Sequence, residues 1–234
     1  MLLRLVRPMR RKGSRIPYFT QRIPSDLKAR SAGVKLALPI GDDTVPITIS
    51  PKAQAVKVSL RTDNPGEAKI RQAAIAAYLE TVWRALREDS PIPLTNRQAT
   101  ALAGRLYRAW SAGEGRERTI AIVLNANRVW EPDHESTDDV PDYWEAATRH
   151  LEALGDSDEP ADLEAAFGPI IDRLLLGEGI RRVDPGSRLL LLKAFRLALQ
   201  DAFERRGRNA GGDYTPDPKA ERFPAFETPS PQQP

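Results

Sequence analysis

Hydrophobic and polar residues alternate with two different periods along this chain, and the period changes once. In the N-terminal part, apolar residues recur at every second position, as at Leu36, Leu38 and Ile40, and this period predicts half-buried strands. From residue 64 onward they recur three or four positions apart, which predicts amphipathic helices. The stretch 56–87, VKVSLRTDNPGEAKIRQAAIAAYLETVWRALR, contains both periods. We therefore expect a strand joined to a long helix at the centre of the fold.

The long helix begins with a recognisable capping pattern. Asn64 suits the N-cap, Pro65 suits the first helical position, and Glu67 lies three residues after the cap. One apolar stripe then follows at helical spacing, formed by Ile75, Leu79, Val82 and Leu86. These signals predict a helix over residues 64–89.

Three earlier stretches have the pattern of strands. In the first of them, the alternation places Ile16, Tyr18, Thr20 and Arg22 on one face and Phe19, Gln21 and Ile23 on the other. Residues 33–50 predict two strands around a turn at 41–43, and Pro39 and Pro46 indicate edge positions because proline cannot donate to a ladder. With the strand at 56–60, they are expected to form one small antiparallel sheet.

The second half of the chain reads as successive helices. Helical spacing of apolar residues predicts segments near 95–110, 116–130, 141–154, 160–177 and 184–206. Asp184-Pro185 repeats the cap of the long helix, and Gly207 is expected to end the last one. The pattern as a whole predicts an α+β fold, mainly α: a small N-terminal antiparallel sheet docked on a long helix, then a bundle of about five helices and a disordered tail.

These elements suggest three regions. Residues 1–63 form a basic arm and the small β-sheet, and residues 64–210 form a helical domain whose first helix, 64–89, packs on the sheet. Residues 211–234 are a Pro/Gly-rich linker or tail, without a periodic apolar face.

Composition excludes several classes of protein. The chain has 0 Cys, so disulfides, thiolate metal sites and cysteine nucleophiles are excluded. Arginines interrupt the N-terminal stretch MLLRLVRPMRRKGSR too often for a signal peptide, and no apolar run reaches the length of a membrane span. We therefore expect a cytoplasmic protein without membrane contact.

Charge is distributed unevenly, although the net charge is only +3. Residues 1–37 contain ten basic residues against Asp26, a net +9, whereas residues 131–164 contain thirteen acidic residues against Arg149, a net −12. A basic arm of this kind attracts polyanions, chiefly nucleic acid.

The candidates for DNA contacts lie in the arm and beside the strand at 56–60. They are Arg10, Arg11, Lys12, Arg15, Tyr18, Arg22, Lys57 and Arg61. The competing interpretation is an ordinary edge strand with Phe19 and Ile23 in the core and its arginines solvated, which is the commoner role of such charges.

Four stretches together resemble the N-terminal region of a bacterial and phage class of tyrosine recombinases (site-specific integrases). They are YFTQRIPSDL, VSLRTDNPGEAKIR, PLTNRQATALAGRLYRAW and GDYTPDPKAERFPAFE. The resemblance implies DNA binding in the context of DNA integration or recombination. It ends near Phe226, about where the core-binding and catalytic domains of such a recombinase would begin.

The catalytic residues of that family do not carry over. A recombinase site needs a His-x-x-Arg pair and a tyrosine nucleophile, but His134 is followed three positions later by Thr137, and His150 by Ala153. Tyr214 lies in the Pro/Gly-rich region without such partners. We therefore expect no enzyme, no catalytic residues, no metal, no cofactor and no small-molecule substrate.

The resulting hypothesis is a non-catalytic DNA-binding or accessory region of integrase type, with DNA as the partner. Two alternatives remain open. The helical part, with its net −12 stretch, is a protein-interaction module that docks on recombinase subunits, or the chain is a truncated remnant.

Overall fold

The computed structural model describes residues 9–10, 16–88, 90–113, 122–125, 128–130, 140–156 and 160–229. Within these ranges the chain has the predicted class, α+β and mainly α. Contacts divide the chain into two compact units. The first comprises Met1–Asp89 with Leu176–Arg181, and the second comprises Ser90–Leu175 with Arg182–Pro234. Helix 64–89, which the sequence pattern assigned to the helical domain and packed on the sheet, lies in the same unit as the strands.

The first unit contains two small antiparallel sheets. One has the strand order β1-β2-β5 and the other is the hairpin β3-β4. The strands are β1 (Met9–Arg10), β2 (Pro17–Arg22), β3 (Lys35–Ile40), β4 (Asp43–Thr48) and β5 (Ala55–Ser59). The expectation of a single sheet was wrong, because β5 pairs with β2 while Pro39 and Pro46 deprive the hairpin strands of N–H donors.

Helix α2 (Pro65–Arg87) covers these sheets and forms the core of the unit with them. Its predicted cap is confirmed: Asn64 Oδ1 accepts hydrogen bonds from the N–H groups of Gly66 at 2.8 Å and Glu67 at 3.3 Å. The fully buried core side chains include Phe19, Leu36, Leu38, Leu60, Ile75 and Leu79. Burying each such side chain contributes about 2 kcal/mol, so packing of the apolar stripe of α2 against the strands stabilises this unit. A short helix α1 (Lys28–Ser31) follows β2.

The second unit is built mainly from helices α3 (Asn96–Ala112), α4 (Pro141–Asp156), α5 (Pro160–Gly177) and α6 (Pro185–Ala210). Helix α6 packs on both α3 and α4. The ring of Phe203 lies 5.6 Å from the ring of Trp110 and 5.5 Å from that of Trp144, which fixes the three helices together.

One predicted helix is a β-hairpin instead. The segment 116–130 contains strands β6 (Ile122–Asn125) and β7 (Arg128–Trp130), which pair antiparallel. Asn127 and Arg128 interrupt the helical stripe, and the β-branched residues Ile122 and Val123 favour a strand. In the described part of the second unit, four helices and this hairpin therefore take the place of the expected five helices.

The end of α6 also differs from the expectation. The helix passes Gly207 and ends at Ala210, before Gly211 and Gly212. A glycine inside a helix costs only about 1 kcal/mol, so Gly207 does not end α6, and a Cβ there would meet Trp144 at an ordinary contact distance of 3.5 Å.

The tail is ordered where it is described. Residues 211–229 have little regular structure, as expected, apart from a 3₁₀ turn at Pro218–Arg222. They are not disordered, however, because Phe223 is only 9% exposed and several side chains are bonded to α3 and α6. Among the described helices, none is long and apolar enough to cross a membrane.

Candidate functional site

The pairing of β2 with β5 assigns their side chains to two faces. Phe19 opposes Val58, and both are buried against α2. The other face, called the outer face below, is formed by Tyr18, Thr20 and Arg22 of β2 and by Ala55, Lys57 and Ser59 of β5. This confirms the alternation inferred for residues 16–23.

The outer face is basic and lacks carboxylates. Neither β2 nor β5 contains an acidic residue. Arg22 and Lys57 are exposed, and within the described residues neither forms an ion pair. Lys57 lies opposite Thr20, so Arg22 is its diagonal neighbour at a Cα separation of roughly 7–8 Å. Two adjacent cations without a counter-ion attract an external anion.

Two other cations of the first unit form ion pairs within it. Arg87 Nε donates to Asp26 Oδ2 at 2.8 Å, and Arg71 Nη2 lies 3.3 Å from Glu67 Oε2. The side-chain bond from Arg87 holds the pKa of Asp26 below its ordinary value. Arg87 and Arg71 are therefore engaged within the unit, unlike Arg22 and Lys57.

The eight candidates for DNA contacts have different positions in the structure. Tyr18, Arg22 and Lys57 share the outer face, and Arg61 follows two residues after the end of β5. Arg10 pairs through its backbone with Pro17. The remaining candidates, Arg11, Lys12 and Arg15, lie outside the described residues.

The turn after β5 contains a feature that the sequence pattern did not reveal. Arg61 has a φ of 52°, the left-handed region that favours glycine. Arg71 Nη1 donates to the carbonyl oxygens of Leu60 at 2.8 Å and Arg61 at 2.9 Å. The ion pair of Arg71 with Glu67 was recognisable from their i,i+4 spacing, but the bonds to this turn depend on tertiary structure.

A second concentration of charge and aromatic side chains occurs where the C-terminal segment, residues 211–229, lies on α3 and α6. Tyr107 Oη donates to Asp217 Oδ2 at 2.8 Å. The ring of Phe223 stacks on that of Tyr107 with centroids 4.9 Å apart. It also covers Gly104, where a Cβ would lie 2.6 Å from Cβ of Phe223. Glycine in the middle of α3 thus makes a notch for this ring.

The cations of the C-terminal segment are all engaged by carboxylates. Lys219 Nζ donates to Asp201 Oδ1 at 2.9 Å and to Glu204 Oε2 at 2.5 Å. Arg222 forms an ion pair with Asp201. The side-chain bonds to Asp201 and Glu204 raise the pKa of Lys219. These charges stabilise the position of the segment.

Tyr107 and Asp217 influence each other's ionisation. Burial, together with the hydrogen bond to Asp217, raises the pKa of Tyr107 to about 12. Burial opposes ionisation of Asp217, but its bonds from Tyr107, from the Lys219 N–H and from Arg208 outweigh burial, and the pKa of Asp217 is lowered. At neutral pH the pair is therefore a neutral phenol that donates to a carboxylate.

A groove of about 600 Å³ between α4 and α6 is a third candidate. Its charged lining combines Glu145, Glu152 and Glu204 with Arg149 and Arg208. Because acids and bases alternate there, the groove favours neither anions nor cations. In the described part of the chain, no group of three His, Cys, Asp or Glu side chains is arranged to hold a metal ion.

Comparison of the chain with protein-family models, with curated proteins and with solved structures finds no match. Function is therefore inferred from the residues of the sites themselves. Of the three, the outer face presents its exposed cations on strands without an acidic residue, whereas the C-terminal segment pairs its cations with carboxylates and the groove mixes both signs of charge.

Proposed function

We propose that the protein is a non-catalytic DNA-binding accessory protein of integrase type, and that the outer face contacts DNA phosphates. The observation that supports this most directly is the grouping of exposed Arg22 and Lys57 on two paired strands without an acidic residue. Arg61, exposed just beyond β5, adds a third cation.

The electrostatics of such a face suit a polyanion. Each phosphate that a lysine or arginine neutralises releases condensed counter-ions, and the logarithm of affinity then falls with the logarithm of salt by about 0.9 per contact. Three contacts from Arg22, Lys57 and Arg61 would contribute a slope of about −2.7. The hydroxyl groups of Thr20 and Ser59 can add hydrogen bonds to phosphate oxygens, which fix register without reading sequence.

The resemblance to the N-terminal regions of tyrosine recombinases supports the same proposal. It implies a role in DNA integration or recombination, with recombinase subunits as further partners. The chain has no His-x-x-Arg pair, so the proposed role is to hold DNA and not to cleave it. A tyrosine cannot open a phosphodiester usefully without groups that stabilise charge at phosphorus.

The test is a salt titration of binding between the full chain and a labelled random-sequence duplex. We compare the wild type with a variant that combines Arg22→Gln, Lys57→Gln and Arg61→Gln. The matched control combines Lys35→Gln, Lys52→Gln and Lys69→Gln, which are exposed residues of the same unit outside the outer face. Both variants lose three positive charges, so net charge alone cannot separate them.

We expect the salt slope of the variant with Arg22, Lys57 and Arg61 replaced (the outer-face variant) to be smaller than that of the wild type by about 2.7. The slope of the control variant should remain close to the wild-type value. Equal losses in the two variants would show that only net charge matters. Absence of salt-dependent binding in the wild type would refute the DNA proposal and favour the alternative, a helical module that docks on recombinase subunits.

A further inference from the structure

The backbone at Arg61 is held in a conformation that costs free energy. Among the described residues, Arg61 is the only non-glycine residue with a positive φ. Five glycines, including Gly41 and Gly113, adopt positive φ as expected. The left-handed region disfavours any residue with a Cβ atom, so glycine would be the ordinary choice at position 61.

Arg71 is the residue that fixes this turn. One guanidinium nitrogen bridges two successive carbonyl groups, those of Leu60 and Arg61, and the other nitrogen pairs with Glu67. The guanidinium also packs against the β3-β4 turn, 3.5 Å from where a Cβ of Gly41 would be. A planar fork with several donors can make these contacts together, which a lysine cannot.

The contacts that hold the turn involve the backbone of residue 61 and not its side chain. Arg71 binds the carbonyl oxygen, and the Arg61 N–H donates to Ser59 Oγ at 3.3 Å. The Arg61 side chain is exposed and forms no ion pair with a described residue. A glycine would thus satisfy the same turn with less strain. Strain of this kind persists at functional sites when the surroundings over-determine it.

We propose that Arg71 is a positioning residue for the DNA site, which holds the backbone of residue 61 so that the Arg61 guanidinium extends the outer face beyond the end of β5. This inference rests on the proposed function. According to this inference, the partly buried Arg71 affects DNA binding through Arg61. The Arg71 guanidinium itself donates to Leu60 O and to Glu67, so it does not contact the phosphate in this proposal.

The first test separates the backbone from the side chain at residue 61. Arg61→Gly relieves the strain and removes the cation. We expect thermal unfolding at the same or a higher temperature, with affinity for the labelled random duplex about fivefold lower and the salt slope smaller by about 0.9. Unchanged duplex affinity in Arg61→Gly would overturn the inference.

The second test uses a double-mutant cycle with Arg71→Lys, which keeps the charge but loses the fork. We expect this substitution to weaken duplex binding by about fivefold in the wild-type background and hardly at all in the Arg61→Gly background. In the control background, Lys57→Gln, its effect should be fully additive. Circular dichroism and thermal unfolding of each variant establish that the unit is folded.

The outcomes distinguish the positioning role of Arg71 from DNA binding by the outer face. An Arg71→Lys effect that is equally large in the Arg61→Gly background would show that Arg71 does not act through Arg61. If that occurs while the outer-face variant still loses its salt slope, the DNA proposal stands and the positioning role falls. If the wild type shows no salt-dependent binding, both fall.

Discussion

The outer face of the first unit and the C-terminal segment of the second both carry exposed lysine and arginine, but they differ in the carboxylates around them. On the outer face, Arg22 and Lys57 extend from strands that contain no acidic residue. On the C-terminal segment, Lys219 and Arg222 converge on Asp201, which is only 7% exposed.

This difference decides what each set of charges can do. Cations whose charge is matched by a nearby carboxylate contribute to the position of a segment, because separating them leaves a partly buried charge without a partner. Cations without such a partner contribute little to folding and remain available to an external anion. The same residue types are therefore structural in one place and candidates for binding in the other.

The largest effect is expected from Phe223→Ala. The Phe223 ring fills the notch at Gly104 and stacks on Tyr107, so its loss should lower the free energy that holds residues 211–229 in place by about 3 kcal/mol. Hydrogen exchange of the segment's bonded amides, such as that of Asp213 to the Arg208 carbonyl at 2.9 Å, measures this opening. Phe226→Ala, at a half-buried ring, is the matched control and should cost about 1 kcal/mol at most. Exchange unchanged by Phe223→Ala would mean that the segment is not held by this ring.

A direct comparison of the two regions comes from neutralising one charge in each. Asp201→Asn removes the carboxylate shared by Lys219 and Arg222, and we expect it to destabilise the second unit by about 2 kcal/mol. Lys57→Gln should change the stability of the first unit by less than about 0.5 kcal/mol. Urea unfolding of both variants tests the pair. A Lys57→Gln variant destabilised as strongly as Asp201→Asn would show that Lys57 is structural, and the contrast would disappear.

Much of the fold could be predicted because its signals are local. The cap at Asn64, the capping box at Thr95 and the cap at Asp184 all appear in the structure where the sequence places helix starts. The alternation in β2 also gave the correct faces, since a period of two admits no other assignment. The hairpin at β6-β7 was missed because a broken helical stripe of apolar residues was read as a helix instead of two short strands.

The sites were harder to predict, since they depend on contacts between residues distant in sequence. Nothing local indicates that Asp217 meets Tyr107, 110 positions earlier, or that Phe223 fills a notch at Gly104. Proline and glycine made the region after 211 resemble a linker, whereas in the structure the Phe223 side chain is buried. Whether a surface lysine has a carboxylate neighbour is likewise a tertiary property, which separates Lys57 from Lys219.

A smaller effect is expected from Gly104→Ala, which tests the notch from the side of α3. Alanine favours a helix interior over glycine by about 1 kcal/mol, but the new Cβ would lie 2.6 Å from Cβ of Phe223 and displace the ring. Because overpacking costs about 1–3 kcal/mol, we expect the C-terminal segment to open more easily by about 1 kcal/mol, seen as faster hydrogen exchange.

The second substitution Phe223→Ala provides the control for this effect. It removes the ring, including Cγ and Cδ1 that would crowd the new Cβ, and it frees the segment so that the remaining Cβ of residue 223 can move away. Gly104→Ala should then stabilise α3 by about 1 kcal/mol. A Gly104→Ala effect of the same sign in both backgrounds would show that Phe223 does not occupy the notch.

The smallest effect is the alkaline pH dependence of the C-terminal segment. The pKa of Tyr107 is raised to about 12, above its ordinary value of 10.0, so the folded state keeps the phenol proton in the intervening range while the unfolded state loses it. Stability from this group is fully present below about pH 10 and is lost as pH rises toward about 12. The charged groups that shift the pKa of Tyr107 are Asp217 and Arg205, and Arg208 acts on Asp217. Lys219 also has a raised pKa, so its titration changes stability in the same direction.

Tyr107→Phe isolates the contribution of the phenol from that of Lys219. The variant loses the bond to the Asp217 carboxylate and should be less stable by about 1 kcal/mol at neutral pH. Because it has no phenol proton to lose, its stability should decline less than that of the wild type between about pH 10 and about pH 12. Urea unfolding across this range, followed by tryptophan fluorescence, gives both curves. Parallel curves would mean that the Tyr107 hydroxyl ionises alike in the folded and unfolded states, and that its bond to Asp217 does not link the stability of the segment to pH.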